Sequence, residues 1–130
     1  MAERIAYKGM TPSQLTGLTK EEYTRLATSR QRRSIKRNSL ETKALIEKVE
    51  HHISSKSQKP IRTKVREAVI LPSWVGLKFE IHNGKEFKMV QIAPNMLGHR
   101  LGELSFTTKR VLHSSPGIKA TRGSKFLANK

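Results

Sequence analysis

The chain has 130 residues, with 26 Lys and Arg against 10 acidic residues, a net charge of +16 and a sequence pI of about 10.7. That length allows one domain with tails. The charge disfavours a free globular enzyme, whose compact state would be opposed by self-repulsion, and favours a polyanionic partner, for which nucleic acid is the first choice.

The absence of cysteine excludes disulfides and thiolate metal sites, and every acid is a glutamate. The longest apolar run, residues 68–71, is too short for a membrane span or a signal segment. The expectation is a cytoplasmic protein with no membrane, cofactor or small-molecule substrate. One Trp, two Tyr and four Phe supply the bulky groups, so the core is small and would be marginal if confined to the middle of the chain.

In chain order, the first third reads as helical but weakly packed. Thr19-Lys20-Glu21-Glu22 is a capping box, in which the Thr hydroxyl and Glu carboxylate satisfy orphan amides, and it predicts a helix over residues 20–27. Residues 30–37 then carry five cations, Arg30, Arg32, Arg33, Lys36 and Arg37, and no acid. Asn38, with Glu41 three residues on, opens a second helix. Its apolar stripe, Leu45, Val49 and Ile53 flanked by Ile46, is suited to lying on a sheet. A polar hinge over residues 54–60 closes at Pro60.

Past the hinge the period changes to two. Residues 61–70 alternate loosely until Pro72-Ser73. Leu77, Phe79 and Ile81 then point one way, and Lys78, Glu80 and His82 the other. Asn83-Gly84 is the strongest short hairpin signal. A two-residue Asn-Gly loop would set Phe79 opposite Lys88. An odd-length loop, the favoured reading, sets Phe79 opposite Phe87 or Met89 and keeps one face apolar. Pro94 opens a single helical turn, and Gly98 and Gly102 prevent a regular helix beyond it. After Glu103, the last acid, 27 residues hold six cations; such a segment cannot bury enough apolar area to offset its ordering entropy.

The candidate binding residues follow. The cluster at residues 30–37 is arginine-rich, and guanidinium forks match phosphate oxygens in pairs and shed hydration readily. Arg62, Lys64 and Arg66 alternate, so one strand would present all three on one face, an arrangement that destabilises a sheet unless a polyanion runs along it. His82-Asn83-Gly84-Lys85 offers donors at a projecting tip, although any exposed hairpin wants Asn-Gly. His99 and Glu103 stand four apart, a metal spacing on a helix, but the flanking glycines and the lack of a third ligand argue against a site. Gly98 and Gly102 instead suit positive φ or close approach to a phosphate, with His99 and Arg100 as contacts. Trp74 reads as packing rather than base stacking. No base held by a third group activates a nucleophile, and no phosphate-cradling glycine loop appears.

Residues 70–104 carry Ile70-Leu71-Pro72, Val75-Gly76, His82-Asn83-Gly84-Lys85, Met96, Gly98-His99 and Leu101-Gly102-Glu103 in one order. This set resembles the universal small-subunit ribosomal protein family number nineteen, counted as number fifteen in eukaryotes. Tyr7-Lys8-Gly9 and Arg30-Gln31-Arg32-Arg33-Ser34 are similar to its archaeal and eukaryotic branch, and the short hinge tilts the reading towards archaea. Leu104, the stretch after it and Lys64 depart from the family's pattern, which weakens contact assignments beyond Glu103.

The resemblance implies a non-enzymatic scaffold in the head of the small ribosomal subunit. It would bind the 3′ major domain of small-subunit rRNA beside small-subunit protein thirteen, near the large subunit across the intersubunit contact. The hairpin tip would face rRNA, with Lys109 and Arg110 as further contacts. The tail residues Lys119, Thr121, Arg122 and Lys125 would lie nearest tRNA or mRNA at the decoding region.

The resulting expectation is an α+β domain over residues 39–104, with one helix packed on a mostly antiparallel sheet of about three strands. A basic helical extension, residues 1–38, precedes it, and a flexible basic tail, residues 105–130, follows. The rival reading is a free, non-specific nucleic-acid-binding protein or RNA chaperone. An RNA-modifying enzyme is more distant.

Overall fold

The computed structural model describes residues 7–37, 39–109 and 121–123. Among the described residues four helices precede the sheet: α1 (Pro12–Thr16), α2 (Lys20–Leu26), α3 (Ser29–Arg37) and α4 (Leu40–Ser54). Pro12 starts α1 at a position where its missing N–H costs nothing. The capping box of α2 forms as read, with Glu22 N–H donating to Thr19 Oγ1 and Thr19 N–H donating to the Glu22 carboxylate at 2.9 Å. Those bonds hold the exposed Glu22 carboxyl below its ordinary range. The lowered value makes the box stabilising at neutral pH, and its contribution is lost as pH falls through that depressed value.

The cap of α4 is Ser39, whose side chain accepts from Thr42 N–H; Asn38, which was expected to open this helix, lies outside the described residues. Leu45 and Val49 are buried and Ile46 packs partly against the core, but Ile53 is 43% exposed. The inward stripe of α4 therefore stops one turn earlier than its spacing suggests.

Strands β1 (Ile61–Thr63), β2 (Lys78–His82) and β3 (Phe87–Gln91) form one sheet in that order. The fold class is α+β as read, and α4 lies against β1. The hairpin pair β2–β3 is antiparallel, whereas β1 runs parallel to β2 with Ile61 beside Phe79 and Thr63 beside Ile81. On the inner face Ile61, Thr63, Phe79 and Ile81 are buried, and the Trp74 ring packs on Phe79 at 5.3 Å between centroids.

The hairpin register departs from the odd-length expectation. Phe79 lies opposite Val90, Ile81 opposite Lys88, and His82 opposite Phe87. Asn83 is the cause. It stands before the turn rather than within it, with its Oδ1 accepting from Lys85 N–H at 3.0 Å and Glu86 N–H at 2.8 Å. Its own N–H donates to the Glu86 carbonyl at 3.0 Å. Gly84 and Lys85 become the central pair, and Gly84 takes the positive φ (98°) that primed hairpin turns require. Phe87 and Met89 are thereby placed on the outer face, where Met89 is 59% exposed.

The strand expected over residues 61–70 ends at Thr63, whose hydroxyl takes the Val65 N–H at 3.0 Å and turns the chain. Residues 66–70 then pair with residues 99–102: Ile70 N–H donates to the His99 carbonyl, Leu101 N–H to Ala68, and Gly102 N–H to Arg66. Single 3-10 turns cover Pro94–Met96 and Leu101–Leu104. Arg66 fastens this layer to the sheet. Its guanidinium donates to the carbonyls of His82 (2.5 Å), Gly102 (2.9 Å) and Ser105 (2.6 Å).

The first third is not weakly packed. Leu15 and Tyr23 are fully buried in the same apolar cluster as Ile70, Trp74, Phe79 and Leu101. Burial and then the neighbouring Tyr7 push the Tyr23 phenol far up, with the Gly98 backbone opposing in part, so it stays protonated. Its buried hydroxyl approaches these groups without a well-aligned hydrogen bond.

This packing makes three stability changes predictable. Leu15→Ala should cost about 2–5 kcal/mol in denaturant unfolding, as a buried Leu does, and Tyr23→Phe less than about 1 kcal/mol because no satisfied hydrogen bond is lost. A surface-helix loss of a few tenths for Leu15→Ala would contradict the shared core. Arg66→Lys should lose roughly 1.5–3 kcal/mol, since one ammonium cannot fork to three carbonyls; an unchanged melting temperature would show the clamp to be idle.

Candidate nucleic-acid interface

Helix α3 carries the densest charge. It has no fully buried residue of its own, only half-buried Ile35 against the core, so polar ties add to what fixes its position. Gln31 supplies them. Its Oε1 accepts from Thr28 N–H at 3.0 Å and from the Tyr7 hydroxyl at 3.4 Å, while its Nε2 donates to the Gly98 carbonyl at 2.5 Å. Gly98, at φ 82°, permits this approach, because a Cβ there would stand 2.8 Å from Gln31 Nε2 and 3.0 Å from the Tyr7 ring. The close approach expected at Gly98 is therefore to the protein's own N-terminal segment rather than to a phosphate. A Cβ at Gly102 would likewise stand 3.0 Å from the Arg66 carbonyl oxygen.

With α3 fixed in this way, two of the predicted groups come together. Arg30, Arg33 and Arg37 on one side of α3 line a cleft of about 360 Å³ with Arg100, which lies across the antiparallel bridge from Val69. Glu67 is the sole carboxylate lining it, and Ser34, Ser39 and Thr42 add hydroxyls. Four guanidiniums drawn from segments far apart in sequence thus face one solvent-open space. Such a cleft suits a run of phosphates, each able to accept paired N–H donors.

The other predicted residues divide. Arg32 is occupied in the fold: Nε donates to the Thr24 carbonyl, and one NH2 to those of Arg25 and Ala27, each at 3.2 Å, closing the C-terminus of α2. Lys8 adds a further bond to the Leu26 carbonyl. Lys36 lies on the other flank of α3 from Arg30.

The expected ladder of Arg62, Lys64 and Arg66 does not form. Arg62 alone is on the strand, ion-paired to Glu80 at 2.8 Å and stacked over the Phe87 ring at 4.5 Å. Lys64 is exposed beyond the strand end, and Arg66 is held inside by its three carbonyls. The cause is again the Thr63 turn, which breaks the alternation.

The hairpin tip is exposed at Gly84 and Lys85, with Asn83 before the turn rather than within it. His82 Nδ1 accepts from Gly84 N–H at 3.1 Å, which places a neutral ring's proton on Nε2. His99 Nδ1 is 2.5 Å from Glu103, and among the described residues no group of three His, Cys, Asp or Glu could hold a metal. Lys109 lies 3.9 Å from Glu86. Thr121 and Arg122 are exposed, while Arg110, Lys119 and Lys125 lie outside the described residues. Sequence reasoning did not single out Lys20 and Arg25, which join Arg32 and Lys36 in a second basic groove. Neither stands in a charge run, so only the α2–α3 packing reveals them.

Comparison with known proteins places the chain in a family. Residues 33–113 match the family model described as ribosomal protein S19. The small ribosomal subunit protein uS19 of Saccharolobus solfataricus is 47% identical over 130 residues, covering 98% of this chain and 93% of that protein. The protein of the same description from Metallosphaera sedula is 42% identical with the same coverage. With a matched model spanning the sheet, the hairpin and the Arg100 segment, and relatives this similar over nearly the whole length, the chain belongs to the ribosomal protein S19 family.

Proposed function

We propose that the chain is an architectural component of the small ribosomal subunit that neutralises crowded phosphates so that rRNA segments can approach one another. Membership of the family makes it a ribosomal protein and a structural component, not an enzyme, and places its work in the cytoplasm. The observation that supports rRNA binding best is the cleft between α3 and residue 100, where Arg30, Arg33, Arg37 and Arg100 converge with one facing carboxylate. The exposed Lys85 at the hairpin tip and the exposed Lys64 extend the positive surface, while Arg62 on the outer sheet face is paired with Glu80. Arg32 and Arg66 serve chiefly to hold α2 and the hairpin base.

In this reading the rRNA is the 3′ major domain in the head, with small-subunit protein thirteen as a neighbour and the large subunit across the intersubunit contact. The basic tail, through Lys119, Thr121, Arg122 and Lys125, is directed towards tRNA or mRNA at the decoding region. These finer placements rest on the family resemblance.

If six to ten phosphates are engaged, affinity for a 3′ major domain fragment should fall about 10³–10⁵-fold between 50 and 200 mM salt. Replacing Arg30, Arg33, Arg37 and Arg100 together by Gln should lower the slope of log affinity against log salt by about three, with melting temperature preserved. A flat salt response of the wild-type chain would overturn the electrostatic account. Sedimentation with free or nucleoid fractions, rather than with small subunits, would favour the chaperone reading.

A further inference from the structure

The groove between α2 and α3 is larger than the arginine cleft and is formed by different side chains. It encloses about 690 Å³ and is lined by Lys20 and Arg25 from α2, Arg32, Ile35 and Lys36 from α3, and one carboxylate, Glu21. We infer that this groove is a second phosphodiester-binding track, so that α3 stands as a wedge between two separate RNA backbone segments. The inference rests on the RNA-binding reading above and adds to it a second site and a bridging geometry.

The helical repeat supports the separation. At 100° per residue, α3 has three faces roughly 120° apart. Gln31 and Ile35 face the core. Arg30, Arg33 and Arg37 face the first cleft, and Arg32 and Lys36 face the groove. One continuous strand of backbone would have to cross the exposed ridge of the helix to meet both cationic faces.

The electrostatics of the groove also favour an anion, despite a helix end that should repel one. The C-terminus of α2 presents carbonyls with negative partial charge. Arg32 and Lys8 cover four of them, those of Thr24, Arg25, Leu26 and Ala27. With that end neutralised, Lys20, Arg25 and Lys36 are left exposed around a floor that includes half-buried Thr24 and Ile35. A fold needing only stability has no use for this crowding, because like charges across a groove repel.

Hydroxyl-radical footprinting of the full chain on a small-subunit rRNA 3′ major domain fragment tests the inference. The wild type should protect two separated segments. The triple variant Lys20→Gln, Arg25→Gln, Lys36→Gln, which leaves the capping Arg32 in place, should lose one segment and keep the other, with the salt slope lower by about two to three. The cleft variant of Arg30, Arg33, Arg37 and Arg100 should do the reverse. Thermal unfolding of each variant guards against misfolding, and Arg25→Gln alone, at an exposed position, should weaken the same segment as the triple variant. If the groove variant leaves footprint and slope unchanged while the cleft variant is defective, the second track is wrong and the RNA-binding reading stands. If both segments weaken together in the folded groove variant, the contact is one continuous track and the wedge is wrong. If neither variant changes either readout, the RNA-binding reading itself fails.

Discussion

The Gln31 side chain is the tie on which the charged surface depends. Helix α3 has five cations in nine residues, and its one apolar side chain, Ile35, is only half-buried against the core, so hydrophobic burial fixes it weakly. A primary amide offers one acceptor and two donors. At Gln31 the acceptor takes the Thr28 amide and Tyr7 hydroxyl, and a donor reaches the Gly98 carbonyl. The helix start, the N-terminal segment and the 98–102 segment are thereby joined at one point. A side chain at residue 98 would push this amide away. Arg30, Arg33 and Arg37 would then lose their fixed relation to Arg100.

Charge and fold stability are kept apart by position. The arginines that the fold uses, Arg32 and Arg66, donate to backbone carbonyls, where a planar fork can serve several acceptors at once. Among the described residues the other cations line open clefts or stand exposed. Ion pairs among the described residues are few: Arg62 with Glu80, His99 with Glu103, and Lys109 with Glu86. Such exposed pairs contribute little. The excess positive charge is therefore uncompensated within the protein, as expected of a surface completed by a polyanion.

The core is larger than composition alone suggests because the N-terminal helices contribute to it. Leu15 and Tyr23 close over the same cluster that Trp74 and Phe79 occupy, and α1 lies against the turn at residues 72–74. With few aromatics in the chain, these added residues let a short three-stranded sheet bury one face well. The outer face is different. Arg62, His82 and Phe87 cluster there, with Arg62 over the Phe87 ring and the His82 ring edge-on to it at 4.8 Å, a consequence of where Asn83 set the turn.

Local chemistry was legible in the sequence. The Thr19 box, the α4 stripe at Leu45 and Val49, the hairpin at residue 83, the turn at Pro94 and the packing role of Trp74 all follow from interactions within a few residues, where capping, periodicity and turn preference act directly. The family was legible too, because the 70–104 set fixes residue types in order. What spacing could not settle was which backbone groups a polar side chain would take, whether two residues away or dozens. A hydroxyl at Thr63 ended a strand that alternation would have continued. An asparagine moved the hairpin register by taking the turn's amides on its side chain. Arg66, one of three equal-looking cations, became internal because three carbonyls happened to converge on it. The sequence by itself determined charge, class and family, since these depend on composition and local pattern. Only the tertiary structure decided which cations face solvent together and which hold the chain, because that depends on backbone groups brought close from dozens of residues away.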